Sequence, residues 1–202
     1  MKKAVSKEKV LKKHDTWLIE VILALISALE YRERLTSGHS EKVALYCMMI
    51  GKKLKYSPAK LRNLKYASLL HDIGKIGIHC DLLVKKDKLA PMEYAEMKTH
   101  SAIGKSILTP ISELHDIIPA VYHHHERYDG KGYPSGLAGE AIPLDARIIT
   151  VADAYEVMTN DRLYRQKVSK EEAIQDMISE KGKQLDPKIV DLFVELLGKV
   201  DR

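Results

Sequence analysis

The sequence predicts an all-α domain organised around one hydrophobic core, and three observations carry that prediction. Apolar residues recur at three- and four-residue spacing along most of the chain, and no convincing period-two alternation of the kind a strand requires is present. The 202 residues, 45% of them hydrophobic, suffice for one core and are short for two. Aromatic residues make up only 6%, with a single Phe and a single Trp, so aliphatic side chains must do most of the packing. The reading gives about seven or eight helices, with no internal repeat and no interdomain linker.

Taken in order, Asp15 or Thr16 can cap a helix carrying Trp17, Val21, Leu25 and Leu29 at four-residue spacing. A second helix is expected from about Ser40, with Val43, Cys47, Ile50 and Leu54 on one stripe. Ser57-Pro58 reads as an N-cap followed by proline in the first turn, opening a third helix through Leu61 and Leu64 toward Leu70. Pro91 opens a fourth, and residues 100–108 form a further short one. Residues 127–143 break the pattern: Gly130, Gly132, Gly136 and Gly139, with Pro134 and Pro143, exclude a helix there. Helical spacing resumes from Asp145 to about Asn160. Ser169 with Glu172 forms a capping box, and Asp186-Pro187 starts a last helix that ends near Gly198.

Charge and composition exclude several function classes. Residues 1–13 hold six lysines against Glu8 alone, which accounts for the whole net charge of +5. A basic face for duplex nucleic acid is therefore not indicated, and the lysine run reads as a solvated leader or helical connector. The apolar stretch Trp17–Leu29 contains Glu20 and falls short of the roughly 20 residues a membrane span needs. It reads as a buried core helix with no signal-peptide cleavage site after it. Two cysteines, Cys47 and Cys80, are too few for a disulfide framework and point to a cytoplasmic protein.

Histidines and carboxylates on apolar helical faces carry the chemistry. The His-Asp pair occurs at 14–15, 71–72 and 115–116, and only context separates the three. His71 lies seven residues after Leu64, so it faces the core, and Asp72 follows it where Gly74 stops the helix. Buried without partners, both groups would be costly. His14-Asp15 sits in the charged leader, where helix capping explains it, and His115-Asp116 reads in the same way. His39 heads the Val43-Cys47-Ile50 stripe, His100 shares a face with Ile103 and Ile107, and Asp153 lies inside an apolar helix between Ile149 and Val157. Each alone fits a satisfied core or cap residue. Together with two of the three imidazoles in His123-His124-His125 they supply seven ligands, too many for one tetrahedral site and suited to two octahedral metals bridged by a carboxylate. Imidazole and carboxylate donors without thiolate favour Fe or Mn, with Zn or Ni as further candidates. Two such ions about 3.5–4 Å apart would activate a bridging hydroxide for in-line attack on a phosphate ester.

With these residues in view, the chain resembles the HD-GYP family of bacterial cyclic-di-GMP phosphodiesterases over roughly residues 28–197. The most specific parts are the segments His71-Asp72-Ile73-Gly74-Lys75-Ile76-Gly77-Ile78 and His124-His125-Glu126-Arg127-Tyr128-Asp129-Gly130-Lys131-Gly132-Tyr133-Pro134. Gly38-His39-Ser40, Met97-Lys98-Thr99-His100, Val151-Ala152-Asp153-Ala154 and Asp161-Arg162-Leu163-Tyr164-Arg165 support them. The resemblance implies an HD-domain helical bundle over residues 28–202, preceded by a basic leader and the start of the first helix in residues 1–27. It implies one metal on His39, His71, Asp72 and Asp153, and a second on the shared Asp72 with His100, His124 and His125. His123 then falls outside the ligand set. Lys75, with Asp72 the catalytic pair, would contact the scissile phosphate or its nucleophile. Arg162 and Arg165 would contact phosphate or guanine, and Tyr133, in the loop beside the site, would bind substrate by stacking or hydrogen bonding or serve a structural role. The implied reaction is hydrolysis of cyclic di-GMP to pGpG, with GMP as a further product in many members.

Departures from the family pattern refine this. Leu35 stands where some members carry a glutamate ligand to a third metal, so two metals are expected. His79-Cys80-Asp81 replaces a usual Pro-Asp, and His79 and Cys80 are read as divergent loop residues rather than ligands. Arg162-Leu163 replaces a common Arg-Pro, a change of loop stiffness rather than chemistry. Two other functions compete with the enzyme reading. One is a weakly active or inactive cyclic-dinucleotide-binding or protein-docking signalling module, meeting partners through the glycine-rich loop and regulated through the N-terminal helix or a homodimer. The other is an HD hydrolase of a different cyclic dinucleotide.

Overall fold

The computed structural model describes residues 2–33, 38–160 and 167–200. Among them are ten α-helical segments and three 3-10 turns, with no strand beyond an isolated bridge between Lys181 and Leu185. The surplus over the expected seven or eight helices comes from α4 (Cys80–Leu83) and α7 (Ile118–His123), both too short to display a period. Leu35, Arg162 and Arg165 lie outside the described residues.

α1 (Lys2–Glu33) corrects two expectations. It begins well before Asp15 and Thr16, so neither opens a helix. Its buried stripe is Leu18, Ile22, Ile26 and Leu29; of the expected Trp17, Val21, Leu25 and Leu29, Leu29 lies on it and the other three are one residue out of step. The segment is apolar on most sides, so spacing alone cannot choose which face meets the core. Trp17 is 58% exposed and Leu23 also faces outward, so α1 is buried on one side only. No helix among the described residues is long and apolar enough to cross a membrane.

The other helices follow their sequence signals. α2 (His39–Lys53) buries Val43, Cys47 and Ile50 as the stripe requires. α3 (Pro58–Leu70) is capped by Ser57, whose Oγ accepts from the Lys60 amide at 3.3 Å, a contact worth roughly 1 kcal/mol. α5 (Pro91–Lys98) and α6 (His100–Leu108) follow, then α7 and α8 (Leu144–Thr159). The Ser169–Glu172 capping box opens α9 (Lys170–Ser179), and Asp186 accepts the Lys188 amide at 2.8 Å ahead of α10 (Pro187–Val200).

α2 packs on α3 and α8, while the 3-10 turn Ile73–Gly77 packs against α6. α7 joins α6 to α8, and α9 and α10 cover the far part of α8 and the end of α2. The core is therefore aliphatic along α2, α3 and α8, closed by an edge-to-face cluster of Tyr46, Tyr155 and Phe193 with centroids 5.2–5.6 Å apart. The C-terminal end of α1 is tied to this body at two places. Glu30 accepts from the Gly38 amide at 3.1 Å, and Arg32 donates to the carbonyls of Ile76 and Ile78.

Candidate metal centre

Five separate parts of the fold deliver the polar groups that spacing placed on apolar faces. His39 is the first residue of α2, entered from Gly38 in a left-handed conformation. His71 and Asp72 lie between α3 and the following 3-10 turn. His100 is the first residue of α6, His124 and His125 follow α7, and Asp153 sits mid-way along α8. His39, His71, Asp72, His100 and His124 are all buried.

Asp72 is the centre of the arrangement. Its Oδ2 faces His71 Nε2 at 3.4 Å and His39 Nε2 at 3.9 Å, and its Oδ1 faces His100 Nε2 at 3.5 Å and His124 Nε2 at 3.8 Å. Asp153 Oδ1 lies 3.4 Å from His39 Nε2. Ligand atoms of Asp72, His100, His124 and His125 fall within 4.8 Å of one another, as do those of His39, His71 and Asp72. The two groups share one residue, Asp72. His123 is turned elsewhere, its Nδ1 lying 3.3 Å from Glu126 Oε1.

The donor set fits cations. Nδ1 of His71, His100 and His124 lies 2.7, 2.8 and 2.6 Å from the carbonyls of Ser68, Met97 and Val121. A carbonyl only accepts, so each Nδ1 carries hydrogen, and the Nε2 of each ring is the atom turned inward, as a lone pair on His100 and His124 when those rings are neutral. The Nε2 atoms of His100 and His124 then face each other at 3.3 Å, an arrangement that needs a positive charge between them. His71 Nε2 is buried without a hydrogen-bond partner of normal geometry among the described residues, although Asp72 lies nearby. A buried imidazole nitrogen left in this way is what a metal ion satisfies.

Electrostatics divides the cluster. Burial disfavours charge on Asp72, but Lys75, followed by His71 and His100, holds it well below the ordinary carboxylate range. Burial also opposes charge on His71, yet Asp72 and Asp153 raise it to about 9. On the other side burial lowers His100 and His124, and burial with the neighbouring His100 pushes His125 down to about 4. His100, His124 and His125 therefore favour their neutral, ligating form.

Lys75 Nζ donates to Asp72 Oδ2 at 2.6 Å, so it already stands at the rim of the cluster. Tyr133 stacks on His125 with centroids 4.9 Å apart and 30° between planes. The loop that carries Tyr133 is ordered by Glu126, a buried carboxylate that accepts from the amides of Ser135 at 2.7 Å and Leu137 at 3.2 Å. Gly132 is required there: a Cβ would lie 2.3 Å from the Arg127 amide nitrogen. The amides of Tyr128 and Asp129 donate to the carbonyls of Gln184 and Lys183, docking the loop on the turn before α10.

Other polar motifs stay away from the centre. His115 Nε2 bonds the Thr109 carbonyl, and Asp116 accepts from Asn63. His79 and Cys80 are exposed at the far end of the 3-10 turn, outside the ligand groups. Three residues of the site and its supports were not among those expected from sequence: Glu156, buried and 2.5 Å from His39 Nδ1, Glu126 and Arg32. The test that singled out Asp153, a carboxylate inside an apolar helix, would have found Glu156 three residues on.

Comparison with known proteins gives findings of three kinds. The HD domain family's sequence profile matches residues 24–189. The cyclic di-GMP phosphodiesterase response regulator RpfG of Xanthomonas campestris pv. campestris is 37% identical over 87% of this chain and 47% of its own length. The 3'3'-cGAMP-specific phosphodiesterase 2 of Vibrio cholerae is 34% identical over 87% of this chain and 34% of its own. The chain thus spans less than half the length of either relative. Among solved structures, a cyclic GMP-AMP-specific phosphodiesterase of V. cholerae superposes with a TM-score of 0.71 at 23% identity, over 89% of this chain and 48% of that one.

Proposed function

This chain belongs to the HD-domain family, and from that premise we propose that it is a metal-dependent phosphodiesterase that hydrolyses cyclic di-GMP to pGpG. The single observation that carries the reading is the division of Asp72, whose two oxygens face two different sets of imidazoles. That division suits two divalent ions, Fe or Mn by donor type, one toward His39, His71 and Asp153 and one toward His100, His124 and His125. When bound, such a pair supplies Lewis acidity and a water of lowered pKa for attack on phosphorus.

The protein's own groups do the rest. Asp72 holds both positions in register, and burial of the imidazoles excludes bulk water from the donor atoms. Lys75, at the rim, is placed to move from Asp72 Oδ2 to a phosphoryl oxygen and neutralise charge there. Tyr133, fixed against His125 by its loop, forms the wall against which the dinucleotide sits. Arg162 and Arg165 are proposed as further phosphate or base contacts on sequence grounds alone. Residues 28–202 are the proposed catalytic unit, acting in the cytoplasm, where Cys47 and Cys80 stay reduced.

The 34%-identical relative named for 3'3'-cGAMP favours a second substrate reading, and one assay separates them. Purified protein loaded anaerobically with Mn(II) or Fe(II) is incubated with cyclic di-GMP and, separately, with 3'3'-cGAMP. Linear product should form from cyclic di-GMP faster than from cGAMP and cease on adding chelator, and the time course shows whether GMP follows. Binding of cyclic di-GMP without turnover under any divalent ion would make the chain a binding module instead.

A further inference from the structure

Four cluster histidines engage their Nδ1 atoms, but not with the same kind of partner. His71, His100 and His124 each meet the carbonyl of the residue three positions earlier, a neutral acceptor supplied by their own segment. His39, the first residue of α2, is served differently. Its Nδ1 instead lies 2.5 Å from Glu156 Oε2, across 117 residues of sequence. Glu156 is buried, one turn beyond Asp153 on α8, so a single helix supplies both a carboxylate near His39 Nε2 and a carboxylate behind its Nδ1.

We infer that Glu156 is a positioning residue that fixes His39 with Nε2 toward Asp72 and makes the His39 side of the dinuclear centre chemically distinct from the His100 side. A carboxylate behind an imidazole sets the tautomer, restricts ring rotation and raises the basicity of the opposite nitrogen more than a carbonyl does. It also adds negative charge behind a position already flanked by Asp72 and Asp153. Among the described residues, the His100–His124–His125 side has no carboxylate of its own besides the shared Asp72 in its ligand group. The two positions therefore differ in affinity through their surroundings as well as through their ligands. The inference rests on the two-ion reading given above.

The test measures ion stoichiometry and dissociation constants by calorimetric and paramagnetic titration of the chelated full chain with Mn(II). Wild type, Glu156→Gln and Glu156→Met are compared, with circular dichroism confirming the fold. Wild type should bind two ions. Glu156→Met removes the acceptor and should weaken one ion by about 10- to 100-fold while leaving the other within about twofold. Glu156→Gln keeps the shape and an acceptor but no charge, and should weaken the same ion less. If Glu156→Met does not fold, the isosteric Glu156→Gln decides by the same one-ion criterion. Imidazole ¹⁵N shifts of the metal-free protein give a second readout: His39 should hold its hydrogen on Nδ1 in wild type and lose that preference in Glu156→Met. Two ions in wild type with unchanged constants in the folded variants would overturn the inference alone, as would equal weakening of both. Failure of wild type to bind two ions would instead overturn the two-ion reading.

Discussion

Asp72 and Lys75 lie 2.6 Å apart, yet the account gives them separable roles. Replacing Asp72 with Ala removes the carboxylate that, among the described residues, is common to both ligand groups, so Asp72→Ala should lose both ions and all hydrolysis. Lys75→Ala leaves every proposed ligand in place and should retain metal while slowing turnover by about 100-fold or more. Metal analysis and rates on the same preparation check the pair; loss of metal in Lys75→Ala would contradict its assignment. A third prediction concerns the loop anchor. The hydrogen bond from Arg127 holds Asp129 down to about 2, below its usual value of 3.8. Because the folded value is lowered, the anchor is fully formed above about pH 4 and is lost as pH falls through about 2. Carboxyl NMR should show that midpoint, moving toward 3.8 in Arg127→Gln; an unchanged midpoint would remove Arg127 as the cause.

At the scale of elements, the centre depends on how closely the 3-10 turn Ile73–Gly77 approaches α6. A Cβ at Gly74 would lie 1.8 Å from the His100 carbonyl oxygen and 2.5 Å from the Gly104 nitrogen, both backbone atoms. Gly74→Ala must therefore push α6, with His100 at its first residue, away from Asp72. Overpacking of this kind costs about 1–3 kcal/mol, and the ion on the His100 side should be weakened more than its neighbour. Thermal unfolding with Mn(II) titration checks this; equal weakening would mean that the helix does not carry the ligand as described. α1 adds a mechanical link, since Glu30 and Arg32 hold the chain beside His39 and beside Lys75 respectively.

Over the whole molecule, the sequence was most legible where a local period or a cap decides the outcome. His39, His71, His100 and Asp153 each sat on an apolar stripe, and each is carried into one cluster. The Ser57 and Ser169 caps formed as read. Contacts over long sequence distances were not legible. The Glu156–His39 pair, the docking of residues 128–129 on 183–184 and the buried face of α1 all depend on tertiary partners that no period encodes. Choosing His124 and His125 over His123 needed the family resemblance; in the structure His123 faces Glu126. The most direct test of the shared-carboxylate centre is anomalous diffraction from crystals grown with Mn(II). The account predicts two peaks about 3.5–4 Å apart, with one oxygen of Asp72 bound to each. A single peak, or two peaks of which only one touches Asp72, would contradict it.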